Sequence, residues 1–391
     1  MAFGSGISCP VARLLKYEDG IWTAGQVDLQ QSQALPDVCY IFLEDRDCFK
    51  GCTDLGRARI LAPFNTPSFL ASKLCTESNG YFGCQSSFEA GDGLAGLSMW
   101  FRCLVKKVLY PEEKKALDGK DYWWYEMGFF TSWHHPNSSK ILCVGTPETF
   151  HDRLRVELGM APSFVLRDPF AMLIPLIGQL IELYTDSTWR VRTQVREIEE
   201  VCSFHDGGRD ACELTLSKTR GKQRADFVTM HNISRHAIHL NEVCTATIET
   251  LEKLHEQQKL THGAIASLDR TYMQQSQESL RFYLQMLKGL KLRSSSNQER
   301  INAEITLAYH IIASQDSAVT KTIAVLTMTF LPASFVASLF GTTFFSSADD
   351  KKLAVSSKFW TYWVVAVPST LLVLLAWWLF LQKSSSRNRW S

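Results

Sequence analysis

Two stretches near the C-terminus carry no charged residue: Thr322–Phe345 (24 residues, TIAVLTMTFLPASFVASLFGTTFF) and Phe359–Leu381 (23 residues, FWTYWVVAVPSTLLVLLAWWLFL). A helix of about 20 apolar residues crosses the hydrocarbon core of a bilayer. Each stretch is therefore long enough to span, the competing reading being a pair of helices buried in a soluble core. Trp360, Tyr362 and Trp363 at one end of the second stretch, and Trp377 and Trp378 at the other, have the placing of interfacial aromatic belts. Pro332 and Pro368 are tolerable in spans, where neighbouring helices re-satisfy the freed backbone groups. The connection Ser346–Lys358 (SSADDKKLAVSSK) is too short for a domain, so the two spans form a hairpin with both chain ends on one side. Lys321, Lys383, Arg387 and Arg389 flank the spans on that side, against Lys351, Lys352 and Lys358 in the connection, a positive-inside bias towards cytosolic termini.

Two further features point the same way. The opening MAFGSGISCPVARLLKYEDG has no long apolar core, so no secretory signal peptide is expected. The eleven cysteines all precede the spans, at irregular spacing, as expected of reduced thiols in a cytosolic portion. Cys48-x3-Cys52 is not followed by a second pair at zinc-ligand spacing. The remaining 321 positions before Thr322 are not extreme in any way: the whole chain has Lys+Arg 41 against Asp+Glu 40. A formal net charge of +1 argues against a nucleic-acid binder, and 21% charged with 12% aromatic residues argues against global disorder.

The spacing predicts an α+β portion over 1–165, with strands at Val38–Leu43, Leu97–Val108, Tyr122–Ser132 and Lys140–Val144, each aromatic or β-branched and bounded by turn residues. Thr66-Pro67 and Thr146-Pro147-Glu148 have the form of helix starts, and Gly91-Asp92-Gly93 and Pro136-Asn137 of turns. From about Asp168 the pattern becomes helical: Ala171–Leu183, Arg190–Val201, Ala225–Lys259 and Ser267–Leu292, with a break at Asp206-Gly207-Gly208 and a hinge-like gap at Arg293–Asn297. Gln298 then opens a run without Pro or Gly up to Pro332, striped by Ile301, Ile305, Ala308 and Ile312. It reads as a stalk entering the membrane. The expected organisation is 1–165 cytosolic α+β domain, 166–319 helical bundle and stalk, 320–382 two-span hairpin and 383–391 basic cytosolic tail.

Chemistry-bearing motifs are absent: no G-x-x-x-x-G-K-[ST], H-E-x-x-H, G-x-S-x-G or EF-hand loop occurs. An enzyme is not expected, nor a tightly bound cofactor. His231, His236 and His239 form the one notable soluble constellation; His236 and His239 share a helix face, either as metal ligands or as part of a solvated surface. His134-His135 reads as surface, and Arg220, Lys222 and Arg224 as a solvated basic loop or a lipid-headgroup contact.

The first span is more specific. At 100° per residue, Thr320, Ile323, Thr327, Leu331, Ser334, Ser338 and Gly341 fall within an arc of about 80°. The opposite side carries Val325, Leu326, Val336, Leu339 and Phe340, with Thr329 the exception, and looks lipid-facing. A stripe of small and hydroxylated residues serves either close helix packing or a pore, with Leu331 as its hydrophobic constriction. Two spans cannot enclose a pore, so the second reading requires an oligomer.

A soluble α/β portion, a helical stalk running into a first span, a short loop and a second span resemble the CorA-type magnesium transporters. Arg300–Phe345 is especially similar to divergent CorA-like membrane proteins of fungi, and Asp168 through Trp189 and Arg190 fits the same group. The resemblance covers about 168–382. It implies a homopentamer in the lipid bilayer, a central pore lined by the seven stripe residues, and a divalent cation such as magnesium as transported or regulatory ion. By position, Gly341-Thr342-Thr343 stands where the family has Gly-Met-Asn. A hydrated magnesium ion keeps several waters, and a threonine hydroxyl presents a shorter, weaker dipole to them than an asparagine carboxamide, so altered selectivity is expected. Asp349 and Asp350 in the loop are offset by Lys351 and Lys352, which removes the acidic attraction for cations. Glu304 and Asp316 on the stalk are the candidate carboxylates for a regulatory ion. The expected function is a passive metal-ion transporter or channel; the alternatives are a non-conducting membrane scaffold or signalling protein and, less supported by motif, a membrane-tethered enzyme.

Overall fold

The computed structural model describes residues 11–29, 35–44, 46–89, 93–116, 120–160, 164–205, 216–347, 353–355 and 360–387. The chain forms two compact units, Met1–Ile305 and Thr306–Ser391. The first is built on a sheet whose seven described strands are β1 (Ala12–Glu18), β2 (Ile21–Val27), β3 (Val38–Leu43), β4 (Tyr81–Phe88), β5 (Leu94–Val108), β6 (Tyr122–His134) and β7 (Ser138–Val144), in the order β2-β1-β3-β7-β6-β5-β4. Neighbours are antiparallel except β3 and β7, which are parallel.

Four of these strands are the expected ones. Of the three unforeseen, β1 and β2 form a hairpin around Asp19-Gly20, both at positive φ (51° and 83°). An Asp-Gly pair suits that left-handed turn, because glycine has no Cβ to clash. β4 carries little strand signal. Its Gly83 lies beneath the Trp100 indole of β5, where a Cβ would sit 2.4 Å from Nε1. The glycine thus makes room for a core tryptophan on the adjacent strand.

Both sheet faces are covered, which explains why β3 and β5 read as apolar runs rather than alternating ones. One face joins Leu14, Ile41, Trp100, Phe130 and Leu142 to Phe49 of α1 (Arg46–Gly51), Ile60 and Leu61 of α2 (Asp54–Leu61), and Phe64 and Leu70 in the two 3-10 turns that follow. The second of these turns, Ser68–Ala71, is what Thr66-Pro67 introduces. The other face meets α5 (Glu148–Met160), α6 (Leu173–His205) and α7 (Leu216–Ala264). There the Tyr40 hydroxyl donates to Met172 O at 2.7 Å, and Phe42 packs edge-on against His151.

β5 outruns its neighbour. β4 pairs with it only as far as Arg102, so from Cys103 to Val108 one edge has no strand partner among the described residues. An open edge is a row of unsatisfied carbonyls. α6 closes it: Tyr184 Oη donates to Leu104 O (2.7 Å), Ser187 Oγ to Lys106 O, and Arg190 Nη1 to Val108 O (3.2 Å). Every second residue of the strand is met by every third residue of the helix. Tyr184→Phe keeps the ring and strips one buried donor, and is expected to lower stability by about 1–2 kcal/mol. Thermal unfolding of the full chain in detergent checks this; an unchanged midpoint would mean that the hydroxyl adds nothing to edge closure.

The helices are longer than the sequence pattern suggests. The expected helices Ala171–Leu183 and Arg190–Val201 merge in one α6, which starts at Leu173 after a turn at Ala171 and Met172, and the supposed hinge at Arg293–Asn297 lies inside α8 (Arg270–Phe344). The hinge is corrected for a tertiary reason. Ser294 is buried and donates to Ala237 O of α7 (3.1 Å), and Asn297 is buried beside it. Ser294 and Ser295 form a seam for close helix approach, while Ser296 is exposed. Arg300 Nε donates to Glu199 Oε1 of α6 (2.7 Å), with a second bond to Oε2. The expected break at 206–208 lies outside the described residues.

A buried carboxylate ties these helices together. Asp168 is 1% exposed. Its Oδ1 accepts from Phe170 N (2.9 Å) and faces His262 Nε2 (3.1 Å); its Oδ2 accepts from Tyr272 Oη (3.0 Å) and Ser276 Oγ (3.3 Å). It thereby joins the lead-in to α6, the end of α7 and the start of α8.

Candidate functional site

The second unit holds the rest of α8, a small ladder of β8 (Phe345–Ser347) with β9 (Leu353–Val355), and α9 (Trp360–Arg387). Two helical segments, Val319–Leu339 and Trp360–Leu379, are long and apolar enough to cross a membrane. They lie within the two uncharged stretches but for Val319–Lys321 at the start.

Within this unit α8 and α9 meet along a defined side. Among the described residues of this unit Val336 (6% exposed) and Ala366 (3%) are the buried ones, and Tyr362 Oη donates to Ala333 O at 3.4 Å. Val325, Thr329, Pro332 and Ala333, on the Val336 side of α8, are half-buried. The stripe lies elsewhere. Thr320, Ile323, Thr327, Leu331, Ser334 and Ser338 are all exposed, Ile323 at 59% and Leu331 at 64%. On a helical wheel they sit about 140–180° from Val336. The face that looked lipid-facing is therefore divided: Val336 and its neighbours pack within the hairpin, while Leu326 and Leu339 stay exposed. Small-residue packing inside one chain does not use the stripe.

The stripe has a polar chemistry. Thr327 Oγ1 donates to Ile323 O at 2.8 Å. Its proton is committed to the backbone, so the oxygen lone pairs remain for an outside donor or cation. Gly341, Thr342 and Thr343 lie in the last turns of α8; the side chains at 342 and 343 lie outside those described, as does that of Asp316.

Other expected sites fare differently. Glu304 is half-buried, with Oε2 enclosed and lacking a hydrogen-bond partner among the described residues. His236 and His239 are neither a solvated face nor, among the described residues, part of a group of three or more potential metal ligands. They face the sheet: His236 is buried with its ring edge-on to Tyr122, and His239 Nδ1 lies 2.6 Å from Lys106 Nζ. His231 and His134-His135 are exposed. The Arg220, Lys222 and Arg224 side chains lie outside those described. Cys39, Cys52, Cys75, Cys84, Cys103, Cys143 and Cys244 are free thiols, and burial pushes Cys39, Cys103 and Cys244 up to about 12, so these three are not thiolate nucleophiles at neutral pH.

The first unit has one large groove, about 1890 Å³, between the sheet, α5 and α6. Its cations are already matched: Arg13 with Glu44 and Asp152, Lys107 with Glu113, Arg153 with Glu182, and Arg190 with Glu113 and Asp186. These pairs join β1 to α5, α5 to α6, and both β5 and α6 to Glu113, and among the described residues they present no nucleophile–base arrangement.

Comparison with known proteins bears on the whole architecture. Residues 123–383 match the family model described as CorA-like Mg2+ transporter protein. The match reaches back into β6, well before Asp168. Notoamide biosynthesis cluster protein M' of Aspergillus versicolor is 27% identical over 280 residues, which are 66% of this chain and 60% of that protein. The chain thus spans about three-fifths of the length of this curated relative. The complete CorA magnesium transporter from Methanocaldococcus jannaschii superposes with a TM-score of 0.55 at 11% identity, over 94% of this chain and 97% of that one. The full-length CmaX protein does so with a TM-score of 0.50 at 14% identity, over 97% and 98%. At such identities the two structures speak for the fold alone. The family match over two-thirds of the chain, the fold and the two apolar C-terminal helices agree: the chain belongs to the CorA-like Mg2+ transporter family.

Proposed function

We propose that this protein is a passive divalent-cation channel, with Mg2+ or a related ion passing along the first span of a homopentamer. Thr320, Ile323, Thr327, Leu331, Ser334, Ser338 and Gly341 line the pathway, Leu331 forms its dry constriction, and Gly341-Thr342-Thr343 forms its entrance. The portions 1–165 and 166–319 and the tail 383–391 lie in the cytosol, with 320–382 in the membrane. The observation that carries this reading is the exposure of the stripe on the side of α8 turned away from Val336 and α9. A hydroxylated face turned outward from the hairpin suits a water-filled path, as identical helices around a common axis would form. Glu304 and Asp316 are the proposed carboxylates for a regulatory ion.

The replacement of a carboxamide by Thr343 favours a second reading, a membrane scaffold that kept the fold and lost conduction. Flux separates the two. The purified full chain in proteoliposomes containing a magnesium-sensitive dye is expected to admit Mg2+ above the protein-free leak. No flux of Mg2+ or of other divalent ions, from protein shown to be folded and oligomeric, would leave the scaffold.

A further inference from the structure

Lys106 of β5 is 2% exposed, and among the described residues it has no carboxylate within ion-pair distance. Its ammonium sits 4.1 Å from the centroid of the Tyr122 ring and 5.3 Å from that of Trp124, both on β6. Among the described residues its one hydrogen-bond acceptor is His239 Nδ1 of α7, at 2.6 Å. One helical turn away on α7, His236 is buried against Tyr122, and its Nδ1 has no hydrogen-bond partner among the described residues. This part of α7 thus rests on the sheet through a caged cation and two imidazoles.

The hydrogen bond dictates a protonation state. An ammonium can only donate, so His239 Nδ1 must accept, and the ring must be neutral. A proton on His239 removes the acceptor and sets two cations 2.6 Å apart. A proton on His236 adds a third positive group to the same buried site. The other charges facing it do not reverse this: Arg235 on α7 is positive, Lys114 of α4 (Pro111–Ala116) is ion-paired to Asp121 at 2.8 Å, and the two carboxylates that favour a proton, Asp121 towards His236 and Glu242 of α7 towards His239, are outweighed by burial and Lys106.

We propose that Lys106, His236 and His239 form a proton-operated latch: neutral imidazoles hold the middle of α7 on β5 and β6, and protonation releases it. The supporting shifts share one sign. Burial, then Lys106, lowers His236 to about 4; burial, then Lys106 and Arg235, lowers His239; burial, then Arg235, lowers Lys106 to about 8. A base whose folded value is depressed contributes docking stability above its free value, and loses it as pH falls from the free value towards the folded one. For His236 that window runs from 6.5 down to about 4.

Amide hydrogen exchange of the full chain in detergent, corrected for the intrinsic rate, reads the latch. From pH 7.5 to 5, His236 alone is expected to cost residues 232–242 roughly 30-fold in protection, while β3 stays protected. His236→Gln with His239→Gln keeps polar side chains that never titrate, and is expected to abolish the dependence. His239→Gln alone, which retains an acceptor for Lys106, is the milder variant and is expected to reduce it. PH-independent protection in the wild-type chain, equal loss in β3, or an undiminished loss in either variant would overturn the latch.

Discussion

Leu331→Arg is expected to abolish divalent-cation entry into proteoliposomes, leaving only the protein-free leak. Leu331 is 64% exposed and lies on the side of α8 away from Val336, so the change leaves the contact with α9 intact. In the proposed pore every subunit would place a guanidinium at the narrowest point. At an effective dielectric constant of 20, one such charge about 5 Å from a dication costs roughly 6–7 kcal/mol. That is four to five orders of magnitude in occupancy before the other copies are counted. Leu331→Ala, which only widens the constriction, is expected to keep or raise the flux. A folded, oligomeric Leu331→Arg protein that conducts as the wild type does would remove Leu331 from the pathway.

Asp168→Ala is expected to cost about 3–5 kcal/mol of stability. The carboxylate is 1% exposed and serves Phe170 N, His262, Tyr272 and Ser276 at 2.9–3.3 Å. Removing it strands three buried polar groups and the half-buried Tyr272 hydroxyl, from the lead-in to α6, the end of α7 and the start of α8. Burial and the adjacent carboxylate push Tyr272 far above the usual tyrosine range, so it remains a donor. Asp168→Asn keeps one carbonyl but points an amide at existing donors, and is expected to fall between the two. Thermal unfolding of the full chain in detergent checks both; a shift no larger than that of Tyr184→Phe would mean that water replaces the carboxylate.

Much of the sheet was legible because its central strands are buried on both faces. VCYIFL and LSMWFRCLVKKV read as strands from their aromatic and β-branched content. The β1–β2 hairpin is marked in the sequence too, by the Asp19-Gly20 pair at its turn. β4 was not. YFGCQSSF has Gly-Cys-Gln-Ser-Ser at its centre and is partly exposed, and its place depends on Trp100 packing across Gly83. The serine run at 294–296 misled in a similar way. Serine and asparagine mark a loop when the backbone faces water, but the same residues allow close helix approach when a neighbour accepts their hydrogen bonds. Ser294 finds Ala237 O, 57 residues away.

The candidate site divides along the same line. Where the chain can meet a bilayer, and which residues form the hydroxylated stripe, follow from local sequence. Lack of charge over about 20 residues sets the solvent a helix tolerates, and a period of 3.6 sets which residues share a face. Tertiary structure decided which face of the first span is covered, since Ala333 and Tyr362 meet only when α9 folds back. It also turned His239 from a presumed ligand or surface residue into the acceptor for a buried lysine 133 positions earlier. Periodicity reports that two residues lie on one side of a helix. What that side touches depends on chain closure over a hundred or more residues, and composition and spacing carry no record of it.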